Sequence, residues 1–102
     1  MVITVTAEFR PHVVTAVVEV GDDRLAIPVG QGTRANLLQF PQLTLTWAPP
    51  RGGEYHLIID CFADRVDELD EQGVSTVSLI AERGILHRLA ELSTPGPSCV
   101  SL

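Results

Sequence analysis

The stretch Gly30-Gln31-Gly32-Thr33-Arg34 brings together the residue types that bind a phosphate. Two glycines lead to a threonine able to cap a helix and to an arginine. Ala35-Asn36-Leu37-Leu38-Gln39-Phe40 follows, and Pro41 stops the run. A glycine-rich approach to a helix start gathers unpaired N–H groups at the positive end of the helix dipole, and a guanidinium adds charge-assisted hydrogen bonds. Gly32, Thr33 and Arg34 are therefore the candidate phosphate ligands, through their amides, the Thr33 hydroxyl and the Arg34 side chain. An ordinary loop-to-helix connection is the plainer reading of the same residues, and local sequence leaves both open.

Other chemistry has less to stand on. His12, His56 and His87 are far apart, and none has a cysteine or acidic partner at ligand spacing, so a structural or surface role fits each better than metal binding. No G-x-S-x-G elbow supports a nucleophilic serine. Asp60, Asp64, Asp67, Glu68, Asp70 and Glu71 lack the spacing and bend-forming glycine of a calcium loop. They read as a solvated edge that discourages self-pairing. Trp47 closes an alternating run and reads as a core or interface residue. No side chain presents itself as a catalytic acid or base, and no metal site is expected.

Composition excludes further classes. The chain has 102 residues, enough for one domain with a modest core. All 7 cationic residues are arginine and the net charge is −6. Without lysine there is no internal aldimine for pyridoxal phosphate and no Walker-type loop. An acidic chain also disfavours nucleic acid, whose affinity comes largely from neutralised phosphates. No apolar run reaches the roughly 18 residues of a membrane span, and Thr4, Thr6, Glu8 and Arg10 interrupt any secretory pattern at the start. Cys61 and Cys99 lack metal-type spacing and read as reduced thiols in a cytoplasmic protein. A hydrophobic content of 45% with mean hydropathy of +0.22 points to apolar surface buried against another subunit.

The elements that would position the phosphate stretch are mostly strands. Val2 to Thr6 alternates, Glu8-Phe9-Arg10-Pro11 turns, and His12 to Val20 reads as one longer strand. Gly21-Asp22-Asp23-Arg24 is a hairpin turn returning through Leu25 to Val29, so these three strands would form a meander. A helix over roughly Thr33 to Phe40 follows, then a half-buried strand from Gln42 to Trp47 and a loop over Ala48 to Gly53. Glu54 to about Asp67 is a long strand with Leu57, Ile58 and Ile59 as its buried middle. An acidic turn leads to a strand from Val74 to Ile80. Ala81 to Leu92 fits helix or strand, because Ile85, Leu86, Leu89 and Leu92 share a helical face. The expectation is a mainly β fold: a six-stranded antiparallel split β-barrel with one short inserted helix over residues 1–92, and a flexible C-terminal tail over 93–102.

The order of these features resembles the pyridoxamine 5'-phosphate oxidase-like, FMN-binding split-barrel family, and most of all its short actinobacterial members. The similarity rests on Arg10-Pro11-His12-Val13-Val14, on T-R-A-N-L-L-Q-F-P-Q-L-T-L-T-W from Thr33 to Trp47, on Tyr55-His56-Leu57-Ile58-Ile59-Asp60, and on Gly84-Ile85-Leu86-His87-Arg88. It covers about residues 2–90. The resemblance implies a homodimer with FMN, or alternatively a deazaflavin, in a groove between subunits, and oxidoreductase activity on a small-molecule ligand there. It implies that Gly32, Thr33 and Arg34 hold the phosphate and that Val13, Val14, Thr15 and Ala16 offer backbone to the ring edge. The family's adjacent Arg-Lys phosphate pair falls on Gly32 and Thr33, and its cations from the second strand fall on Val14 and Glu19. Arg34 and backbone amides are left to do their work. A non-enzymatic dimeric split-barrel binding protein that has lost FMN binding is the alternative these substitutions bring in.

Overall fold

The computed structural model describes residues 1–88 and 99–102. Eight strands and one helix follow in the order β1 (Val2–Val5), β2 (Pro11–Val14), β3 (Glu19–Val20), β4 (Leu25–Val29), α1 (Gln31–Gln39), β5 (Gln42–Trp47), β6 (Tyr55–Val66), β7 (Ser75–Arg88) and β8 (Cys99–Ser101). All strand pairings are antiparallel, in the path β2-β1-β5-β6-β7-β4-β3, with β8 added on β7.

Connectivity forces this sheet to curl. β2 and β3 stand at opposite ends of the path, yet residues 15–18 alone join them. Five chain steps from Val14 to Glu19 reach at most about 18 Å. Seven flat strands would hold the two ends about 29 Å apart. Two irregularities in the β6–β7 ladder, at Asp60/Cys61 and Ala63/Arg65, supply part of the bend. The result is the mainly β split barrel with one inserted helix that the sequence implied.

The core is drawn from the inward residues of every long strand. Val2, Ile27, Val29, Leu43, Leu45, Cys61, Ala63, Val77 and Leu79 are buried, and Leu37 is the apolar residue α1 adds. Val14, Ala16, Val18, Leu25, Trp47, Ile59 and Val66 pack around them. Each fully buried aliphatic side chain contributes roughly 1.5–3 kcal/mol of hydrophobic stabilisation.

Several expectations need correcting. The barrel has eight described strands rather than six, and the first three do not form a meander. His12 to Val20 is not one strand: ladder pairing stops after Val14 and resumes at Glu19, because the chain there crosses from one sheet end to the other. The helix begins at Gln31 rather than Thr33, with Gly30 as an N-cap that has no side-chain cap bond. Thr33 does not cap because it is turned inward and buried. Leu57, Ile58 and Ile59 are half-buried, and the fully buried part of β6 lies further on, at Cys61 and Ala63. Ser75 to Arg88 is a single strand, so the segment from Ala81 is β as far as Arg88. Part of the expected tail is structured: Cys99–Ser101 pairs with Ile85–His87, and Leu102 donates its amide to the Gly84 carbonyl at 2.8 Å. Residues 89–98 lie outside the described part of the chain.

Turn chemistry holds the long β6–β7 hairpin. The Asp70 carboxylate accepts the amides of Gln72 and Val74, each at 2.9 Å, and Gly73 takes the positive φ of 76° that the return requires.

Candidate functional site

Helix α1 is short, and its start is bare. Gly30 contributes no capping side chain, and the Arg34 amide closes the first helical turn on the Gly30 carbonyl at 2.9 Å. The first-turn amides of Gln31, Gly32 and Thr33 precede any intrahelical acceptor. A Cβ built on Gly30 or on Gly32 would meet no atom within 4 Å, so the space over this helix start is open.

Of the expected phosphate ligands, Gly32 fits such a site through its amide. Thr33 is 3% exposed, which takes the residue, hydroxyl included, away from the surface. Arg34 is held from the other side. Its Nε donates to the Asp67 carbonyl at 2.9 Å, and its Nη2 lies 3.6 Å from Glu68 Oε2, with the Arg34 side chain 20% exposed and that of Glu68 96%. The Asp67 carbonyl also accepts the hydroxyl of buried Ser75 at 2.7 Å. Arg65 Nε pairs with the Asp67 carboxylate at 2.7 Å. The turn between β6 and β7 thus holds the guanidinium of Arg34.

The expected ring-edge residues occupy an extended segment with strict alternation. Val14 and Ala16 face inward and pack on the core, while Val13 and Thr15 face outward, Val13 at 50% exposure. Val17 continues the outward row at 77%. From Thr15 to Val18 no strand is paired with this segment among the described residues, so its backbone donors and acceptors lie outside the ladder.

A contact joins the two halves that sequence reasoning did not find. Asn36 Nδ2 donates to the Oγ1 of buried Thr4 at 3.1 Å and lies 3.3 Å from His12 Nδ1. Asn36 sits two residues beyond Arg34, and His12 precedes Val13. The helix is therefore pinned to β1 and β2 beside the ring-edge segment. No local signal marks Asn36, because its partners are 24 and 32 positions away. Glu68, by contrast, lies in the acidic run noted in the sequence; only its pairing with Arg34 was hidden.

Among the described residues no group of three or more histidine, cysteine or acidic side chains could hold a metal ion, and no helix is long and apolar enough to cross a membrane. Cys61 carries a free, buried thiol.

Comparison with solved structures gives the class of fold. The chain superposes on the structure of an F420 reductase with a TM-score of 0.71, at 9% sequence identity, covering 81% of this chain and 85% of that one. At that identity the likeness is one of fold: an antiparallel split barrel with a single inserted helix. No family model matches the sequence, and no curated protein matches it.

Proposed function

We propose that the protein is an oxidoreductase of the pyridoxamine 5'-phosphate oxidase-like split-barrel type, active as a homodimer, with a flavin or deazaflavin in a groove between subunits. The observation that carries this reading is the uncapped start of α1, open around Gly30 and Gly32, with Arg34 in its first turn. The fold shared with an F420 reductase supports it and favours testing a deazaflavin alongside FMN.

The amides of Gln31 and Gly32 would hold the phosphate at the surface, with Arg34 adding charge and Thr33, expected as a third ligand, set behind them. The backbone along Val13, Val14, Thr15 and Ala16, which leaves the ladder after Val14, would meet the polar edge of the ring. Bound there, the cofactor would supply hydride transfer, and the chain would supply orientation and exclusion of water. The exposed valines at positions 13 and 17 would be covered by the second subunit. The absence of any lysine and the acidic net charge fit a protein that does not seek nucleic acid, and a cytoplasmic setting suits its reduced thiol.

A second reading has its own observation. Arg34 is already engaged by Asp67 and Glu68, and the Thr33 hydroxyl is buried, so phosphate binding rests mainly on amides. That suits a non-enzymatic dimeric binding protein that keeps the barrel without the flavin. Titrating the protein with FMN, FAD and a deazaflavin and following fluorescence separates the two. Saturable quenching by one of them at micromolar concentration supports the oxidoreductase. No quenching by any of the three removes it. Light scattering tests the dimer, and a monomer at micromolar concentration would remove the intersubunit groove.

A further inference from the structure

We propose that the outer face of the barrel carries a binding groove for a ligand with an ammonium group on a small apolar body, held between Asp60, Glu82 and Thr44. The groove encloses about 350 Å³, at the lower end of the range for small-molecule sites. Half-buried Ile3 and Val5 and exposed Gln42 line it together with these three polar residues, over the buried Leu43 and Cys61.

The register of the ladder explains why the carboxylates converge. Asp60 pairs with Arg83 and Cys61 with Ala81, so two positions on β6 face three on β7, and Glu82 is the residue left over. Such a bulge re-aims the extra side chain, and Glu82 lines the same groove as Asp60. Asp60 Oδ1 accepts the Thr44 hydroxyl at 2.9 Å, which fixes its orientation without neutralising it. Among the described residues no ion pair reaches either carboxylate. Their joint field is felt below the groove: burial, then Asp60 and Glu82, push the Cys61 thiol up to about 11.

These properties select the ligand. An anion meets two carboxylates, neither of them in an ion pair among the described residues although Arg83 is the cross-strand partner of Asp60. A divalent cation finds no group of three histidine, cysteine or acidic side chains placed to hold it among the described residues. An alkylammonium satisfies both parts, since its charge pairs with the carboxylates while its chain covers half-buried Ile3 and Val5. The site also lies in one transverse row with the exposed strand: Val13, Ile3, Thr44 and Asp60 are successive cross-strand partners. Three strand spacings place Asp60 about 14 Å from Val13. The groove stands on its own residues, whether or not a cofactor lies along β2.

The test uses the intact chain and n-hexylammonium as probe, with n-hexanol and hexanoate as neutral and anionic counterparts, followed through the amide resonances of Thr44, Asp60 and Glu82. Saturable shifts with hexylammonium are expected, weakened at least about tenfold in Asp60→Asn and in Glu82→Gln, with none from hexanoate. Glu82 is exposed, so Glu82→Gln decides the matter even where Asp60→Asn fails to fold. Equal binding of hexanol, unchanged affinity in Glu82→Gln, or no saturable shift with hexylammonium overturns the proposal.

Discussion

Arg34 donates through Nε to the main-chain carbonyl of Asp67 at 2.9 Å, on the oxygen that also accepts the Ser75 hydroxyl. This bond ties the start of the helix to the far end of the β6–β7 hairpin, 33 positions away. It also sets what the guanidinium can do. The neighbouring ion pair with Glu68 is exposed at the acid end and adds little to stability. The Nε bond is the more sheltered of the two.

Replacing Arg34 by alanine should therefore have two separable effects. Loss of the charged donor should lower unfolding free energy by about 1–3 kcal/mol, softened because Ser75 still serves the Asp67 carbonyl. Affinity for any phosphate-bearing cofactor should fall at least tenfold, about 1.4 kcal/mol. Denaturant unfolding reads the first and fluorescence titration the second. Cofactor affinity that stays at the wild-type value would take Arg34 out of the phosphate site, whatever the stability does.

Leu37 tests the helix as a structural plug. It is 1% exposed and is the apolar side chain α1 buries in the core, since Leu38 points to solvent at 58%. Leu37→Ala removes a buried side chain from a site that cannot collapse freely, because strands surround it, and should cost about 2–5 kcal/mol. Leu38→Ala should change stability by less than about 0.5 kcal/mol. Equal effects of the two substitutions would mean that the helix does not seat as described.

The contrast between these leucines shows where the sequence was readable. Alternation identified β5 to the residue, and the Gly30–Pro41 punctuation located the helix within two residues of its start. The misses have physical causes. Residues 14, 16 and 18 keep facing inward where ladder pairing has stopped, so periodicity reported burial and could not report the change of partner. Ile85 and Leu86 share a helical spacing with Leu89 and Leu92, which left the segment from Ala81 ambiguous. Ile85 and Leu86 pair with Ile58 and Leu57 of β6, and pairing with a strand that distant leaves no local sign. The helix start was legible as a candidate phosphate site, whereas the pairing of Arg34 with Asp67 depends on a distant turn and has no local signature.

Gly84 makes a narrower test of the C-terminal strand. A Cβ there would lie 3.1 Å from Leu102 Cδ1 and 3.2 Å from Leu102 Cβ, while the Leu102 amide bonds the Gly84 carbonyl. The Leu102 methyl can swing away because the residue is 71% exposed, but its Cβ must shift. Gly84→Ala should speed hydrogen exchange at Leu102 severalfold, with a stability change below about 1 kcal/mol. Exchange at Leu102 as slow as in the wild type would show that this close approach does not govern β8 pairing.

Cys61 gives the pH dependence. Burial raises its thiol from the ordinary 9.0 to about 11, with Asp60 and Glu82 adding to the shift. A thiol whose pKa is higher in the folded state favours folding while both states are protonated, so its contribution is fully present below pH 9.0. Between 9.0 and about 11 the unfolded chain loses the proton first, and stability falls as pH rises. Cys61→Ser retains a hydroxyl that does not titrate in this window and should flatten that fall. Unfolding of both proteins across the interval, with alkylation followed in parallel, measures it. Alkylation of Cys61 in the folded protein should stay slow at neutral pH, and rapid modification at pH 8 together with an unaltered pH slope in Cys61→Ser would contradict a buried, proton-retaining thiol.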